Sequence, residues 1–106
     1  MITKKLTIEF QHFEGCPNSP KLLERLKSVL LEFPEQVELK IVLIENEYDA
    51  LKFKFIGSPT ILLNGEDLLG VPLPENGTLA CRFYPNGLPN EEFLKNKIIE
   101  KINFLN

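Results

Sequence analysis

Two cysteines are the residues of this sequence best suited to covalent chemistry. Cys16 stands in the stretch GCPNSP, residues 15–20, and Cys81 lies far downstream in the stretch ACRFY. Together with His12, the only histidine, they are too few for a structural zinc site. The chemistry that they support is thiol chemistry: attack on a disulfide or a peroxide, or binding of a soft metal ion.

Cys16 lies where a predicted strand meets a predicted helix. As N-cap residue, with Pro17 at the first helical position, it would face free backbone N–H groups and the positive end of the helix dipole. Both stabilise a thiolate and lower a thiol pKa below ~8.5, and Ser19, one turn further on, would donate its hydroxyl to the sulfur. The alternative is that Asn18 or Ser19 caps the helix and that Cys16 is an unreactive turn residue.

A second candidate feature is the stretch GSPT, residues 57–60, which opens a predicted strand. Proline suits the first residue of a strand because it cannot donate a ladder hydrogen bond, and it is the common site of a cis peptide bond. A cis Ser58–Pro59 bond would leave the backbone N–H and C=O of Ser58 pointing outward, where an extended peptide or glutathione could pair with them. We therefore expect Ser58, Pro59 and Thr60 to contact substrate; the alternative is an ordinary trans proline.

The elements that must position these residues follow from the apolar pattern. Residues 5–12 alternate as a strand with one buried face, residues 22–33 repeat at helical spacing up to Pro34, and residues 37–44 indicate a second, more deeply buried strand. A strand, a crossover helix and a second strand form a parallel pair. The first half of the chain thus predicts a β-α-β unit with Cys16 at its first turn.

The second half predicts two helices, two strands and a long loop. The first helix is short, is capped by Asn46 or Asp49 and ends at Gly57, and the strands at 59–63 and 67–69 are joined by an Asn64-Gly65 hairpin. An irregular Pro/Gly-rich loop at 70–89 then leads to a final helix capped by Asn90. The whole indicates a single α/β domain over residues 1–106. Its predicted order is β-α-β-α-β-β-α, with a mixed four-stranded sheet flanked by helices.

Composition narrows the classes of partner. The chain has 106 residues, 43% of them hydrophobic, which suits one core and not two. A net charge of −3 with scattered lysines argues against nucleic acid as a partner. No apolar run approaches the ~20 residues of a membrane span, and the start, MITKKLTIEF, lacks the apolar block of a signal peptide. We expect a cytoplasmic protein without a membrane partner, and the oligomeric state stays open.

Three of these stretches, in this order, resemble the thioredoxin superfamily. Cys16-Pro17-Asn18-Ser19 occupies the place of that family's CxxC and opens like a glutaredoxin, GSPT resembles its cis-Pro-Thr strand start, and Asn64-Gly65 its following hairpin. The similarity covers nearly all of residues 5–69. It implies a thioredoxin-like fold and redox chemistry at Cys16. Because Ser19 replaces the second cysteine, the motif is CxxS, and disulfide exchange within the motif is impossible.

A closer resemblance is to a bacterial group of small thioredoxin-fold proteins, the DF-family (seleno)proteins. It rests on FEGCPN at 13–18, GSPT at 57–60 and ACRFY at 80–84. Some members have selenocysteine at the first cysteine position, which implies redox chemistry at Cys16. The resolving thiol would come from glutathione, a partner or Cys81, and Arg82 would stabilise a thiolate or contact substrate. A Cys16–Cys81 disulfide is allowed if the α-carbons lie within ~7 Å; the alternative is that Cys81 is a buried, inert cysteine.

These observations favour a thiol–disulfide oxidoreductase or a thiol peroxidase-like protein. Its predicted catalytic residues are Cys16, Ser19 and Cys81, and its predicted substrate contacts are Pro17, Ser58, Pro59, Thr60 and Arg82. We expect a thiol or disulfide substrate and no cofactor, with glutathione as a candidate co-substrate. Three alternatives stay open: a thioredoxin-fold binding module without turnover, soft-metal or mercurial binding by Cys16 and Cys81, and a purely structural role.

Overall fold

The computed structural model of the protein describes residues 5–105. Residues 1–4 and 106 lie outside the described residues. They belong to the predicted domain over residues 1–106, and residues 1–4 also belong to the start that is predicted to lack a signal peptide. The chain forms β1 (Leu6–His12), α1 (Asn18–Leu30), β2 (Val37–Leu43), α2 (Glu47–Lys52), β3 (Thr60–Leu63), β4 (Glu66–Asp67) and α3 (Glu91–Leu105). The predicted order β-α-β-α-β-β-α and the mixed four-stranded sheet are confirmed.

The sheet has the strand order β2-β1-β3-β4. β1 pairs with β2 in parallel and with β3 in antiparallel orientation, and β3 pairs with β4 in antiparallel orientation. α1 makes the crossover between the two parallel strands. The turn between β3 and β4 consists of Asn64 and Gly65, with φ values of 50° and 85°, the positive values that a two-residue hairpin favours.

The prediction of a deeply buried second strand is wrong. β2 is an edge strand, and its side chains are half-buried or exposed; Ile41 is 47% exposed. The buried strand is β3, in which every residue from Thr60 to Leu63 is buried. The reason is the strand order: β1 and β3 take the centre of the sheet, and an apolar sequence alone does not reveal which strand will lie at an edge.

The main core lies between the sheet and the two longer helices. It joins Leu6, Ile8 and Phe10 of β1 to Leu22, Leu26 and Val29 of α1, Ile61 and Leu63 of β3, and Leu94, Ile98 and Ile102 of α3. A smaller cluster around α2 contains Ile44, Ala50 and Phe55. Burial of these apolar side chains fixes β1 and α1 relative to each other, and the turn between them carries Cys16.

α2 and α3 begin at side-chain caps, whereas α1 begins without one, and the bounds shift from those predicted. α1 begins at Asn18, one residue later than predicted, so that Pro17 is the N-cap, and it ends at Leu30. The side chain of Asn46 caps α2, which ends at Lys52 and not at Gly57. The predicted cap of the last helix is confirmed, since Oδ1 of Asn90 accepts the N–H of Phe93. Within residues 5–105, no helix has the length and apolar character that crossing a membrane requires.

Candidate functional site

Cys16 lies in the short turn that connects β1 to α1. Gly15 precedes it with a φ of +87°, a left-handed conformation that glycine adopts readily and that reverses the chain after the strand. The carbonyl of Cys16 accepts the N–H of Ser19 at 3.3 Å, which forms the first turn next to the helix start. The side chain is buried, with only 4% of Cys16 exposed. Pro17, a predicted substrate contact, is exposed beside it.

Three hydrogen bonds, one of them made by the sulfur, form a polar network at Cys16. The thiol donates to the carbonyl oxygen of Ser58 at 3.5 Å, and the hydroxyls of Ser58 and Ser19 lie 3.0 Å apart. The N–H of Phe13 donates to the Ser58 hydroxyl at 3.2 Å. Because the Ser58 hydroxyl accepts the hydrogen bond from Phe13, its own O–H can donate a hydrogen bond to Ser19, whose O–H is then available to the sulfur of Cys16. The predicted contact between Ser19 and Cys16 thus has a supporting network.

This environment lowers the pKa of Cys16. Burial acts in the opposite direction, because it disfavours the charged thiolate. The hydroxyls of Ser19 and Ser58 and the backbone N–H groups of Asn18 and Ser19 outweigh it by hydrogen bonding to the sulfur, and the pKa of the thiol falls below its ordinary value. The sequence left two alternatives, a thiol of lowered pKa or an unreactive turn residue; the structure shows a buried thiol whose pKa is lowered.

The Ser58–Pro59 peptide bond is cis, and the backbone of Ser58 is already paired within the chain. The N–H of Ser58 donates to the carbonyl of Ala80 at 2.9 Å, and its C=O accepts the N–H of Arg82 at 2.9 Å, so that Ser58 and Cys81 face each other in a parallel β-bridge. The expectation that these groups point outward is therefore wrong. The downstream loop returns to this edge, which local sequence signals around residues 57–60 do not show.

The returning segment, residues 78–82, is called the strap below. It begins with the N–H of Thr78, which donates to the carbonyl of Phe55 at 2.9 Å. Two glycines allow its close approach. A Cβ at Gly57 would lie 2.9 Å from Cβ of Arg82, and a Cβ at Gly77 would collide with the backbone of Ala50. The strap therefore lies directly on the main chain that leads to Ser58.

The strap ends in a buried ion pair between Arg82 and Asp67 of β4. The guanidinium makes two hydrogen bonds to the carboxylate, of 2.6 Å and 2.8 Å, and both side chains are buried. Burial would lower the pKa of Arg82, but its bonds to Asp67 outweigh this, and the pKa is raised. In the structure the guanidinium of Arg82 is paired with Asp67, and its role beside a thiolate or a substrate stays a prediction.

Thr60 is likewise committed within the chain. It is fully buried, its hydroxyl donates to the carbonyl of Gly57 at 2.6 Å, and the guanidinium of Arg82 donates to it at 3.4 Å. Pro59 is buried as well, and its carbonyl accepts the hydroxyl of Tyr84. Both residues are thus hydrogen-bonded within the chain, and their roles as substrate contacts stay predictions.

Asp67 and Tyr84 belong to this region but are not among the predicted site residues. The ring of Tyr84 lies 4.9 Å from the guanidinium carbon of Arg82. Burial raises the pKa of Tyr84 to about 12, with the negative charges of Asp67 and Cys16 acting in the same direction and Arg82 opposing. The sequence contains one indication of the position of Tyr84. In an extended segment, alternate side chains point to the same side, so Arg82 and Tyr84 share one side, and Cys81 and Phe83 share the other. Accordingly Cys81 and Phe83 are exposed.

The alternative of a buried Cys81 is wrong, since Cys81 is exposed and both cysteines are free thiols.

Cys16 borders a pocket of about 260 Å³ between β1 and α1, lined by Phe10, His12, Phe13, Glu14, Gly15, Ser19, Pro20 and Leu23. In the described part of the chain, no three His, Cys, Asp or Glu side chains are grouped to hold a metal ion.

Comparisons with known proteins agree with this fold. No protein-family model matches the chain. A thioredoxin of Methanocaldococcus jannaschii is 30% identical over 73 residues, which cover 67% of this chain and 86% of that protein. The structure of HBP35 of Porphyromonas gingivalis superimposes with a TM-score of 0.67 at 18% identity over 99% of this chain, which spans 35% of that longer chain. The fold is thioredoxin-like, and the chain belongs to the thioredoxin superfamily.

Proposed function

We propose that this protein is a thiol–disulfide oxidoreductase or thiol peroxidase in which Cys16 of a CxxS motif is the nucleophile. The observation that carries the proposal is the cradle around its sulfur, built from the hydroxyls of Ser19 and Ser58 and the N–H groups at the start of α1. The thiolate is the reactive form of a cysteine, and this cradle stabilises the thiolate. The superfamily supports a thiol redox role.

The proposed first step is attack by the Cys16 thiolate on one sulfur of a disulfide. The S–S bond breaks, a mixed disulfide forms on Cys16, and the other sulfur leaves as a thiolate that takes a proton from water. Cys16 is oxidised and the leaving sulfur is reduced. With a hydroperoxide, the thiolate takes the terminal oxygen and becomes a sulfenic acid, while the remaining oxygen leaves as an alcohol after protonation.

A second thiol must release Cys16, because Ser19 stands in place of the second cysteine of a CxxC motif. We propose Cys81 or glutathione for this step. Cys81 is exposed and pairs with Ser58, whose carbonyl oxygen also receives the Cys16 thiol. Attack by Cys81 on the Cys16 mixed disulfide would expel the bound thiol and leave a Cys16–Cys81 disulfide, which glutathione would then reduce.

The finer placement among the DF-family (seleno)proteins is also a proposal. The stretches FEGCPN, GSPT and ACRFY support it, and they contain the residues that the structure brings together at Ser58: Cys16 from the first, Ser58 from the second and Cys81 from the third. Pro17 is the predicted substrate contact that remains exposed beside the sulfur. The proposed surroundings of Cys16 therefore involve all three stretches.

The test is the rate of alkylation of each cysteine by iodoacetamide between pH 5 and pH 10, followed by peptide mass spectrometry. Limited access slows Cys16 equally at every pH, so the midpoint of its profile reports ionisation alone. We expect a midpoint for Cys16 clearly below ~8.5, the usual thiol value. A midpoint at or above the usual value would contradict the proposal.

Turnover provides the second arm of the test. With glutathione as reductant and a small disulfide or hydroperoxide as substrate, Cys16→Ser should abolish turnover, whereas Cys81→Ser should leave the first attack intact. Turnover that survives Cys16→Ser would contradict the proposal. Capture of a partner that is unaffected by Cys16→Ser would support a binding module instead, and stoichiometric mercury binding that needs both cysteines would support soft-metal handling.

A further inference from the structure

The strap occupies the backbone groups that an extended substrate would need. Its residues Ala80 and Arg82 pair with the N–H and the C=O of Ser58, in the manner of a strand added to an exposed edge. An extended peptide that approaches Cys16 along this edge therefore meets a segment of the same chain. It can pair with Ser58 only by displacing the strap.

The strap is held at both of its ends by contacts that a peptide would have to break or bypass. At its start, Thr78 donates to Phe55. At its end, the two hydrogen bonds between Arg82 and Asp67 are buried and strengthened by charge. Removal of one partner would leave the other charge buried and unpaired, which is strongly unfavourable. The strap is thus fixed to the rest of the site by hydrogen bonds at both of its ends.

A different approach to Cys16 remains open. The pocket beside β1 and α1 includes Cys16 and Ser19 in its lining, and most of its other walls are apolar: Phe10, Phe13, Pro20 and Leu23. Its volume of about 260 Å³ lies below the ~300–1,000 Å³ that is usual for pockets that hold drug-sized ligands. A small molecule with apolar substituents fits such a pocket, whereas an extended chain does not.

We infer that the strap restricts Cys16 to small disulfides and hydroperoxides that enter through the pocket beside β1, and that it excludes extended protein segments. This inference rests on the proposed function, because it assumes a reactive Cys16. The reaction is the one already described: with a small disulfide, the Cys16–sulfur bond forms as the S–S bond breaks, and the leaving thiolate is protonated by water.

The experiment uses two probes with the same leaving group, ethyl 2-pyridyl disulfide and the 2-pyridyl disulfide of a blocked ten-residue peptide with one cysteine. Release of 2-thiopyridone is followed by absorbance. All proteins carry Cys81→Ser, so that the exposed second thiol does not contribute. The strap is loosened by Asp67→Asn with Arg82→Gln, and by the milder Arg82→Lys, which keeps the charge and loses the two-bond geometry.

The matched control is Glu66→Gln with Lys101→Gln. It removes an exposed ion pair from the neighbouring residue of β4 without touching the strap. Circular dichroism checks that each variant is folded. We expect the protein with an intact strap to prefer the ethyl probe by at least about tenfold, because the peptide must displace two backbone hydrogen bonds. The variants that loosen the strap should react at least about fivefold faster with the peptide probe and less than about twofold faster with the ethyl probe. The control variant should show neither increase.

Each outcome has a distinct meaning. Equal rates with both probes in the intact protein would overturn the inference while leaving the proposed function in place. A peptide-to-ethyl ratio that stays unchanged in Arg82→Lys and in the double variant would overturn it as well, since the strap would then not be the discriminating element. A pH profile of the reaction between Cys16 and the ethyl probe with its midpoint at or above ~8.5, the usual thiol value, would instead overturn the proposed function.

Discussion

The thiol of Cys16 is hydrogen-bonded to the backbone carbonyl oxygen of Ser58. The thiol of Cys16 lies 3.5 Å from the oxygen of Ser58, and the same oxygen accepts the N–H of Arg82 at 2.9 Å. The candidate nucleophile and the strap therefore share an acceptor. On ionisation the sulfur loses the proton that it donates there, and its charge is then held by the hydroxyls and the backbone N–H groups of the helix start. Changes to that cradle should appear first in the ionisation of Cys16.

Ser19→Ala should raise the pKa of Cys16, because the variant loses a hydroxyl that stabilises the thiolate. A hydrogen bond to a charged group is worth about 1.5–3 kcal/mol, so alkylation of Cys16 at pH 6 should slow about tenfold or more. The measurement is the pH profile of iodoacetamide labelling. Ser28→Ala is the matched control, since Ser28 lies exposed on the same helix. An unchanged midpoint in Ser19→Ala would show that Ser19 does not act on the sulfur.

Breaking the pair between Arg82 and Asp67 should destabilise the protein strongly. Arg82→Met leaves a buried carboxylate without its partner, and we expect a loss of about 3–5 kcal/mol in the free energy of unfolding. Lys95→Met breaks an exposed pair with Glu32 and should cost no more than about 1 kcal/mol. Urea denaturation of both variants gives the comparison. Similar losses in the two variants would argue that the buried pair does not hold the strap.

Much of the fold was predictable because its signals are local. The alternation of β1, the Asn64-Gly65 turn and the Asn90 cap each depend on residues within a few positions of one another, and all three lie where the sequence indicates. The position of Cys16 next to a helix start belongs to the same class. Short-range chemistry sufficed for these features.

The rest depends on contacts between distant segments. The exposure of β2 follows from strand order, and the pairing of Ser58 with Cys81 follows from the path of the loop after β4. Asp67 carries no pattern that links it to Arg82. The consequence for the site is specific: the sequence predicts substrate contacts at Arg82 and Thr60 but not the hydrogen bonds that Arg82 makes to Thr60 and Asp67.

Tyr84 should make stability sensitive to alkaline pH. Its pKa is about 12 in the folded protein, against an ordinary value of 10.0. The raised pKa means that the folded state retains a proton that the unfolded state releases between pH 10 and pH 12. The stabilisation is therefore complete below pH 10 and is lost as the pH rises through that window, by about 2 kcal/mol. Urea denaturation of wild type and Tyr84→Phe at pH 9, 10, 11 and 12 measures it.

In Tyr84→Phe the alkaline loss should be smaller than in wild type, because phenylalanine has no proton to release. The variant should also lose about 1 kcal/mol at pH 8, since the carbonyl of Pro59 gives up its hydrogen bond from the tyrosine hydroxyl. Tyr48→Phe is the matched control, because Tyr48 is 72% exposed; it should follow the wild-type curve at every pH. If Tyr84→Phe and wild type lost stability in parallel from pH 10 to pH 12, the hydroxyl of Tyr84 would not be the titrating group.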